Sequence, residues 1–131
     1  MSKTSMGSFV KTYYADIYIG MSCGYEGVIK FTEDEVLDII SKYIDNNERK
    51  FAVNIQNTTF VYPGGMESGL KIGLIQYPRF EVTETEIFNN AVALAIFLVE
   101  KLDQFRCSLV TSNGSYLIEN GNMPETYEDR S

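Results

Sequence analysis

The sequence contains no histidine and no tryptophan, and only two of its 131 residues are cysteines. Without histidine, a Ser-His-Asp triad, a Cys-His dyad and imidazole acid–base catalysis are all excluded. Cys23 and Cys107 form no CxxC pair, so a zinc site fits poorly, and we expect two free, buried thiols. These absences favour binding over catalysis. We therefore expect a protein that is not an enzyme and needs no metal or cofactor.

Positive charge is also scarce, since 11 Lys and Arg residues face 18 Asp and Glu, for a net charge of −7. Binding a nucleic-acid polymer requires a stripe of Lys and Arg that displaces counterions. The composition therefore argues against DNA or RNA as a partner. A small phosphorylated ligand stays compatible, because two or three well-placed cations can hold it.

Long apolar runs are missing as well. The longest, Ala91–Val99, falls far short of the ~20 residues that span a membrane. The first residues, MSKTSMGSFVKTYY, lack a continuous apolar signal segment. We expect a soluble, cytoplasmic protein with no membrane partner. Its length predicts a single domain over 1–131, with a loose lead-in at 1–10 and a disordered acidic tail at 120–131.

Alternating apolar and polar residues predict strands at 13–20, 50–62 and 70–77. The Pro63-Gly64-Gly65 turn signal predicts a long hairpin whose connection covers 63–69. Asn113-Gly114 predicts a second hairpin within 106–118.

Two helices are predicted from capping boxes, in which Thr32 precedes Glu35 and Thr83 precedes Glu86. The first helix is amphipathic and ends at Asn46-Asn47. The second continues to about Gln104. The order strand, helix, two strands, helix, terminal strands predicts an α+β fold: a mainly antiparallel sheet with two helices on one face.

The second helix is apolar around most of its circumference from Ile87 to Val99, where only Asn89 and Asn90 are polar. A helix of this kind has to be covered on nearly every side. One sheet cannot cover it all, so we expect a homodimer or a larger homo-oligomer to bury the remainder.

Two glycine-rich segments have open interpretations. MSCGYEG (21–27) could cradle a phosphate with its backbone N–H groups, or could be a plain turn. PGGMESG (63–69) could be a flap over a ligand, or a solvent-exposed loop. The acidic residues at the two helix starts match the helix dipole and give no sign of a catalytic pair.

The segment YPRFEVTETEIFNNA (77–91) is the best candidate for a binding site. Asparagine is a poor helix former and is costly to bury without partners. Asn89 or Asn90 could hydrogen-bond a base or a ribose, Phe80 could stack on the ligand, and Arg79 or Arg106 could grip a phosphate. In the alternative, one asparagine is exposed and the other bonds a loop carbonyl.

Phe80 before a long apolar helix, Asn90 near its start and Arg106 at the next strand form a pattern that resembles the phage anti-Thoeris sponges. The element order and chain length are similar over about residues 13–119. The resemblance implies a homodimer, or a higher oligomer, in the cytoplasm of an infected bacterium. It would sequester a cyclic ADP-ribose isomer without cleaving it, inhibiting Thoeris defence, and could also hold cyclic oligonucleotides. Phe80 would pack on the ligand, Asn90 would hydrogen-bond it and Arg106 would bind its pyrophosphate. The family's further arginine is matched only by Lys30.

Two other functions are open at the level of sequence. The first is a phosphodiesterase or ring nuclease that degrades a cyclic nucleotide signal, although no acidic metal cluster with suitable spacing stands out. The second is a protein–protein inhibitor of a host factor, acting through the apolar helix and the acidic surface.

Overall fold

A computed structural model describes residues 3–23, 28–29, 31–76 and 82–122. Its elements are, in chain order, β1 (Tyr14–Gly20), β2 (Ser22–Cys23), β3 (Val28–Ile29), α1 (Glu33–Asn46), β4 (Asn54–Tyr62), β5 (Gly65–Ile75), α2 (Glu84–Lys101), β6 (Arg106–Thr111) and β7 (Gly114–Glu119). Five strands form one sheet in the order β4-β5-β1-β6-β7, and β2 and β3 form a separate small pair. Every pairing is antiparallel, which confirms the predicted α+β class.

The central strand β1 has one buried face, because its side chains alternate across the sheet. Ile17 is fully buried and lies opposite Ile72 of β5 and Leu109 of β6. Both helices pack on this side, which we call the inner face. The core that they close consists mainly of Ala15, Ile17, Ile19, Val36, Ile40, Leu70, Ile72, Ile87, Ala91, Leu94, Ala95, Leu98, Leu102 and Leu109. Neither of the two described helices packs on the opposite face, which we call the outer face.

Both helices begin at the predicted capping boxes. Thr32 and Thr83 accept hydrogen bonds from the backbone N–H of Glu35 and Glu86, whose carboxylates accept from the cap N–H groups in return. Arg49 adds an ion pair to Glu86, which ties the segment after α1 to the start of α2. The capping signal therefore located both helix starts.

Helix α2 ends three residues before the predicted Gln104. Asp103 adopts a positive φ of 54°, the backbone N–H of Gln104 donates to the carbonyl of Val99 at 2.9 Å, and that of Asp103 donates to Glu100 at 3.4 Å. This pair of bonds is a Schellman motif, which usually places glycine or asparagine at the left-handed position. Because aspartate is uncommon at that position, the sequence did not indicate that the helix ends there.

The hairpin between β4 and β5 is tighter than predicted. Tyr62 pairs with Gly65, so the connection is only Pro63-Gly64, and Gly64 supplies the positive φ of 88° at the turn. The rest of PGGMESG lies inside β5, paired with β4. The predicted connection over 63–69 is therefore wrong, and neither the flap nor the solvent-exposed loop describes it: proline and glycine mark the turn itself, and the residues after them are strand.

The last hairpin turns one residue earlier than Asn113-Gly114, because Thr111 pairs with Gly114. The Thr111 hydroxyl accepts from the N–H groups of Asn113 and Gly114 at 3.1 Å. Beyond β7, Asn120 is buried and its carboxamide donates to the carbonyls of Val99 and Gln104, both at 3.0 Å. Residues 123–131 lie outside the described part, so the disordered tail stays a prediction.

Helix α2 finds most of its cover within its own chain. Beyond its contacts with β1 and β6, Phe97 packs on Tyr43 of α1 with ring centroids 4.6 Å apart, and Phe88 meets Tyr116 of β7 at 5.2 Å. Ile96 is the large apolar side chain of this helix that stays exposed, at 45%. A single chain does not test the predicted oligomer, but this helix is a weaker reason for it than the sequence indicated.

In the described residues, no helix is both long and apolar enough to cross a membrane.

Candidate functional site

The two asparagines of α2 have different surroundings. Asn89 is exposed, whereas Asn90 is partly buried and lines a cavity of about 240 Å³ between the helix and β5. The other lining residues are Lys50, Phe51, Ala52, Leu74, Ile75, Val82 and Ile87. The Asn90 carboxamide makes no hydrogen bond to the described residues, so its donors and its acceptor are available in this cavity.

Lys50 is the charged residue among those that line this cavity, and its ammonium already donates a hydrogen bond to the carbonyl oxygen of Asp45. The cavity is also lined by residues on both sides of 77–81, the first part of the predicted binding segment. Ile75 and Val82 line it, and the backbone N–H of Val82 donates to the side-chain oxygen of Gln76 at 3.2 Å. Arg79 and Phe80 come between Ile75 and Val82 in the chain and lie outside the described residues. Lys30 and the glycines of MSCGYEG lie outside them too.

Arg106 lies elsewhere. It begins β6 on the outer face, and extending the pairing of Tyr18 with Ser108 places it beside Gly20 at the end of β1. The Asn90 cavity adjoins Leu74, which pairs with Ala15 near the start of β1. Five strand residues at ~3.4 Å each separate the two positions by about 17 Å, and the sheet itself lies between them. A single chain therefore does not bring Asn90 and Arg106 to one small ligand.

A second group of polar side chains meets at Gly20 on the outer face. A side chain at Gly20 would lie 3.2 Å from the Oε1 of Gln104 and 3.2 Å from the Oε2 of Glu67, so these oxygens are no farther apart than twice that distance. Gln104 is buried and is carried here by the Schellman turn that ends α2. Glycine at position 20 thus lets a carboxyl and a carboxamide approach the strand more closely than a larger side chain would allow.

Aromatic rings lie near Gly20 as well. Phe60 lies across Gly69, where an added Cβ would be only 2.1 Å from its ring. Tyr18 is two residues before Gly20 on the same face, and the Lys71 ammonium lies 5.8 Å from the centre of its ring. We call Tyr18, Gly20, Phe60, Glu67 and Gln104 the outer-face cluster.

Two carboxyl groups on the outer face have shifted acidities. Burial raises the pKa of Glu67 above its ordinary value. Burial also raises the pKa of Asp16, and the Lys71 ammonium, 3.8 Å away, opposes that shift. The Glu67 carboxyl is partly desolvated and has no cation partner among the described residues. Such a carboxyl is typical of functional sites, although structural groups also show such shifts. No group of three or more potential metal ligands occurs in the described residues.

The sequence analysis missed Glu67 and Gln104. Glu67 belongs to PGGMESG, which was interpreted as a loop, and Gln104 was placed at the end of a helix. Their separation in the sequence matches no known motif, because strand pairing and the turn that ends α2 bring them together in the fold. The acidic character of Glu67 inside a strand is the one signal that a correct strand assignment would have given.

Comparison with known proteins identifies a shared fold. No family model matches the chain, and a search of curated proteins finds no match. Among solved structures, a phage SAM lyase in complex with S-methyl-5'-thioadenosine matches with a TM-score of 0.60 and 17% identity, over 95% of this chain and 100% of that one. A phage SAM lyase in the apo state matches with a TM-score of 0.58 and 17% identity, over 92% and 100%. The chain has the fold of these proteins.

This comparison corrects one expectation and supports others only broadly. The prediction of a protein that is not an enzyme is contradicted, because the chains that share its fold are lyases. Both come from phages and one holds a small nucleoside ligand, in line with the broad expectation of a phage fold that binds small molecules. A Thoeris signal, cyclic ADP-ribose and an oligomer are not tested by it.

Proposed function

We propose that this protein is a lyase that cleaves S-adenosylmethionine at the outer-face cluster. The observation that carries the proposal is the correspondence of nearly the whole chain with a phage SAM lyase that holds S-methyl-5'-thioadenosine. At 17% identity the correspondence concerns the fold, so the activity has to be argued from the side chains.

The chemistry suits a protein without histidine. To release S-methyl-5'-thioadenosine, the bond between the sulfonium sulfur and the aminobutyrate chain breaks, and both electrons go to sulfur. In the same step, either a base removes a proton from the neighbouring carbon, which gives an alkene, or the fragment's own carboxylate attacks the carbon that sulfur leaves, which gives a lactone. Neither route uses water, so what the protein has to supply is orientation, electrostatic stabilisation and at most one proton acceptor.

The charge of the protein favours this substrate. S-Adenosylmethionine carries a sulfonium and an ammonium group against one carboxylate, so it is a net cation. A protein with a formal charge of −7 attracts a cation and repels the anionic pyrophosphate of a cyclic ADP-ribose. The long-range field therefore separates the two ligand classes in favour of the sulfonium compound.

The outer-face cluster offers groups for each part of such a ligand. Glu67 presents a partly desolvated carboxyl that can hold the cationic end of the substrate or accept a proton from it. The rings of Tyr18 and Phe60 can stack on adenine or face the sulfonium, and Tyr18 already attracts the Lys71 ammonium. The missing side chain at Gly20 lets the Glu67 carboxyl and the Gln104 carboxamide lie close to the strand, where both can contact the ligand.

Incubation of the purified protein with S-adenosylmethionine tests the proposal, with products followed by liquid chromatography and mass spectrometry. We expect S-methyl-5'-thioadenosine to accumulate in molar excess over protein. Substrate alone and boiled protein are the controls, because the sulfonium decomposes slowly by itself. Product at only the control rate would contradict lyase activity, and so would binding with full recovery of intact substrate.

A second candidate function is binding of a cyclic ADP-ribose-type signal at the Asn90 cavity. The observation that favours it is the carboxamide of Asn90, which makes no hydrogen bond to the described residues and lines the same cavity as Phe51. The cavity, at about 240 Å³, is smaller than the ~300–1,000 Å³ of most ligand pockets, so it would hold one nucleoside portion. Calorimetric titration with cyclic ADP-ribose isomers should then lose its signal in Asn90→Ala and keep it in the exposed control Asn89→Ala. Equal affinities in both variants would remove this candidate.

A further inference from the structure

Strand β4 is an open edge of the sheet. The strand order places β4 at one end and β7 at the other, and within the described residues no strand lies beyond either. The pairing of β4 with β5 runs without a bulge from Asn54–Gly73 to Tyr62–Gly65. Along its other side, alternate residues of this nine-residue strand therefore present backbone groups that a further strand could pair with.

This edge lacks the features that usually prevent pairing with another chain. Natural edge strands are typically short, charged, bulged or interrupted by proline. The sequence of β4, NIQNTTFVY, has no charged residue and no proline. By comparison, β7 is shorter, at 6 residues, and ends in Glu119.

The ladder shows which backbone groups point outward. In β5, Ser68 accepts from the N–H of Met21 and Gln76 donates to Tyr13, so the even-numbered residues of that strand bond toward β1. Its odd-numbered residues therefore bond toward β4, and Gly65 exchanges bonds with Tyr62 across the two-residue turn. It follows that the N–H and C=O groups of the remaining β4 positions point to the open edge, at Ile55, Asn57, Thr59 and Val61.

We propose that β4 pairs with β4 of a second copy of this chain about a two-fold axis at Thr58. In this antiparallel register Ile55 lies opposite the partner's Val61, and Asn57 opposite the partner's Thr59. All four positions have outward backbone groups, so each of these pairs exchanges two hydrogen bonds. One two-fold operation thus satisfies the whole edge, which is what an isologous interface requires.

The side chains fit the same register. Ile55 and Val61 both lie on the inner face, where Val61 is 74% exposed in the single chain. Pairing covers each of them with the other's aliphatic side chain. Thr58 faces its own copy, and an uncharged strand places no like charges opposite each other. This dimer does not depend on the identity of the ligand.

Light scattering combined with size-exclusion chromatography measures the mass directly. We expect the wild type at twice 14.9 kDa at micromolar concentration. Thr58→Lys and Thr58→Asp should each give 14.9 kDa. Each variant places two side chains of like charge opposite each other, on residues whose Cα atoms are about 4.5 Å apart. An equimolar mixture of the two should return to the double mass, since opposite charges now meet.

Two further variants test the backbone contact and the choice of edge, while recombination of the Thr58 variants shows that they fold. Asn57→Pro removes an outward N–H without touching the ladder to β5, and should also give the single mass. Ser115→Lys, on the exposed side of β7, should keep the double mass. A wild type at 14.9 kDa, Thr58 variants that stay dimeric, or a mixture that fails to recombine would each overturn the proposal.

Discussion

Glu67 is a residue whose burial opposes folding at neutral pH. Because burial raises the pKa of its carboxyl above the ordinary value of 4.5, the folded state binds this proton more tightly than the unfolded chain does. The stability that this linkage provides is complete below pH 4.5 and is lost as the pH rises through the folded-state pKa. At neutral pH the folded protein therefore holds a carboxylate that would be better solvated in the unfolded chain.

Glu67→Gln should accordingly raise the melting temperature at pH 7, because the amide removes the desolvated charge and keeps the shape. The advantage over the wild type should shrink as the pH falls toward 4.5, where the native carboxyl becomes neutral as well. Calorimetric melting curves at several pH values provide the measurement. A variant that is less stable than the wild type at pH 7 would show that the carboxylate supports the fold.

At single residues, the sequence was informative where the signal was local. It singled out Asn89 and Asn90 as unusual in an apolar helix, but one exposed and one cavity-lining asparagine look alike in a sequence. The thiol of Cys107 is buried as expected, and burial raises its pKa to about 12. Glu67 and Gln104 escaped notice because their proximity depends on contacts distant in the chain.

At the level of elements, the close packing of Phe60 on Gly69 makes position 69 a sensitive point of the β4–β5 ladder. An added Cβ would lie 2.1 Å from the Phe60 ring and 2.7 Å from the carbonyl oxygen of Ile19, which is backbone and cannot rotate away. Gly69→Ala should therefore destabilise the protein by about 1–3 kcal/mol. Gly121→Ala is the matched control, since nothing lies within 4 Å of its added Cβ. Chemical denaturation measures both, and equal midpoints would contradict the described packing.

The end of α2 depends on Asn120, which lies beyond the last strand. Asn120→Ala leaves the carbonyls of Val99 and Gln104 without the side-chain donor, and should cost about 1–3 kcal/mol. Asn122→Ala loses only an exposed bond to Glu100 and should change stability by no more than about 0.5 kcal/mol. Urea unfolding of both variants decides the matter. An Asn120 variant as stable as the Asn122 variant would mean that the segment after β7 does not brace the helix.

Helix starts were the most predictable element boundaries, because a capping box is a local arrangement of hydrogen bonds. Boundaries that rest on backbone conformation were less so. The helix end at Asp103 uses a residue uncommon in that role, and the proline and glycines of PGGMESG extended the expected loop into what is strand.

For the molecule as a whole, the fold class followed from the order of elements, but the arrangement of the site did not. Strand β1 comes first in the chain and lies in the centre of the sheet, between β5 and β6. That non-local order separates Asn90 from Arg106 and brings Glu67, Gly20 and Gln104 together. Asn90 and Arg106, which the sequence grouped around one helix, thus lie on opposite faces of the sheet, and only a site shared by two chains could bring them together.

The central claim is that the outer-face cluster cleaves S-adenosylmethionine, and the rate of S-methyl-5'-thioadenosine formation tests it most directly. The comparison includes the wild type, Glu67→Gln and Glu48→Gln, the last replacing an exposed carboxylate far from the cluster in the chain. We expect Glu67→Gln to lose about 100-fold or more of the activity, in the range typical of a group that holds charge or moves a proton, while its melting temperature at pH 7 does not fall. Glu48→Gln should match the wild type. A Glu67→Gln protein that forms the product as fast as the wild type would contradict this account.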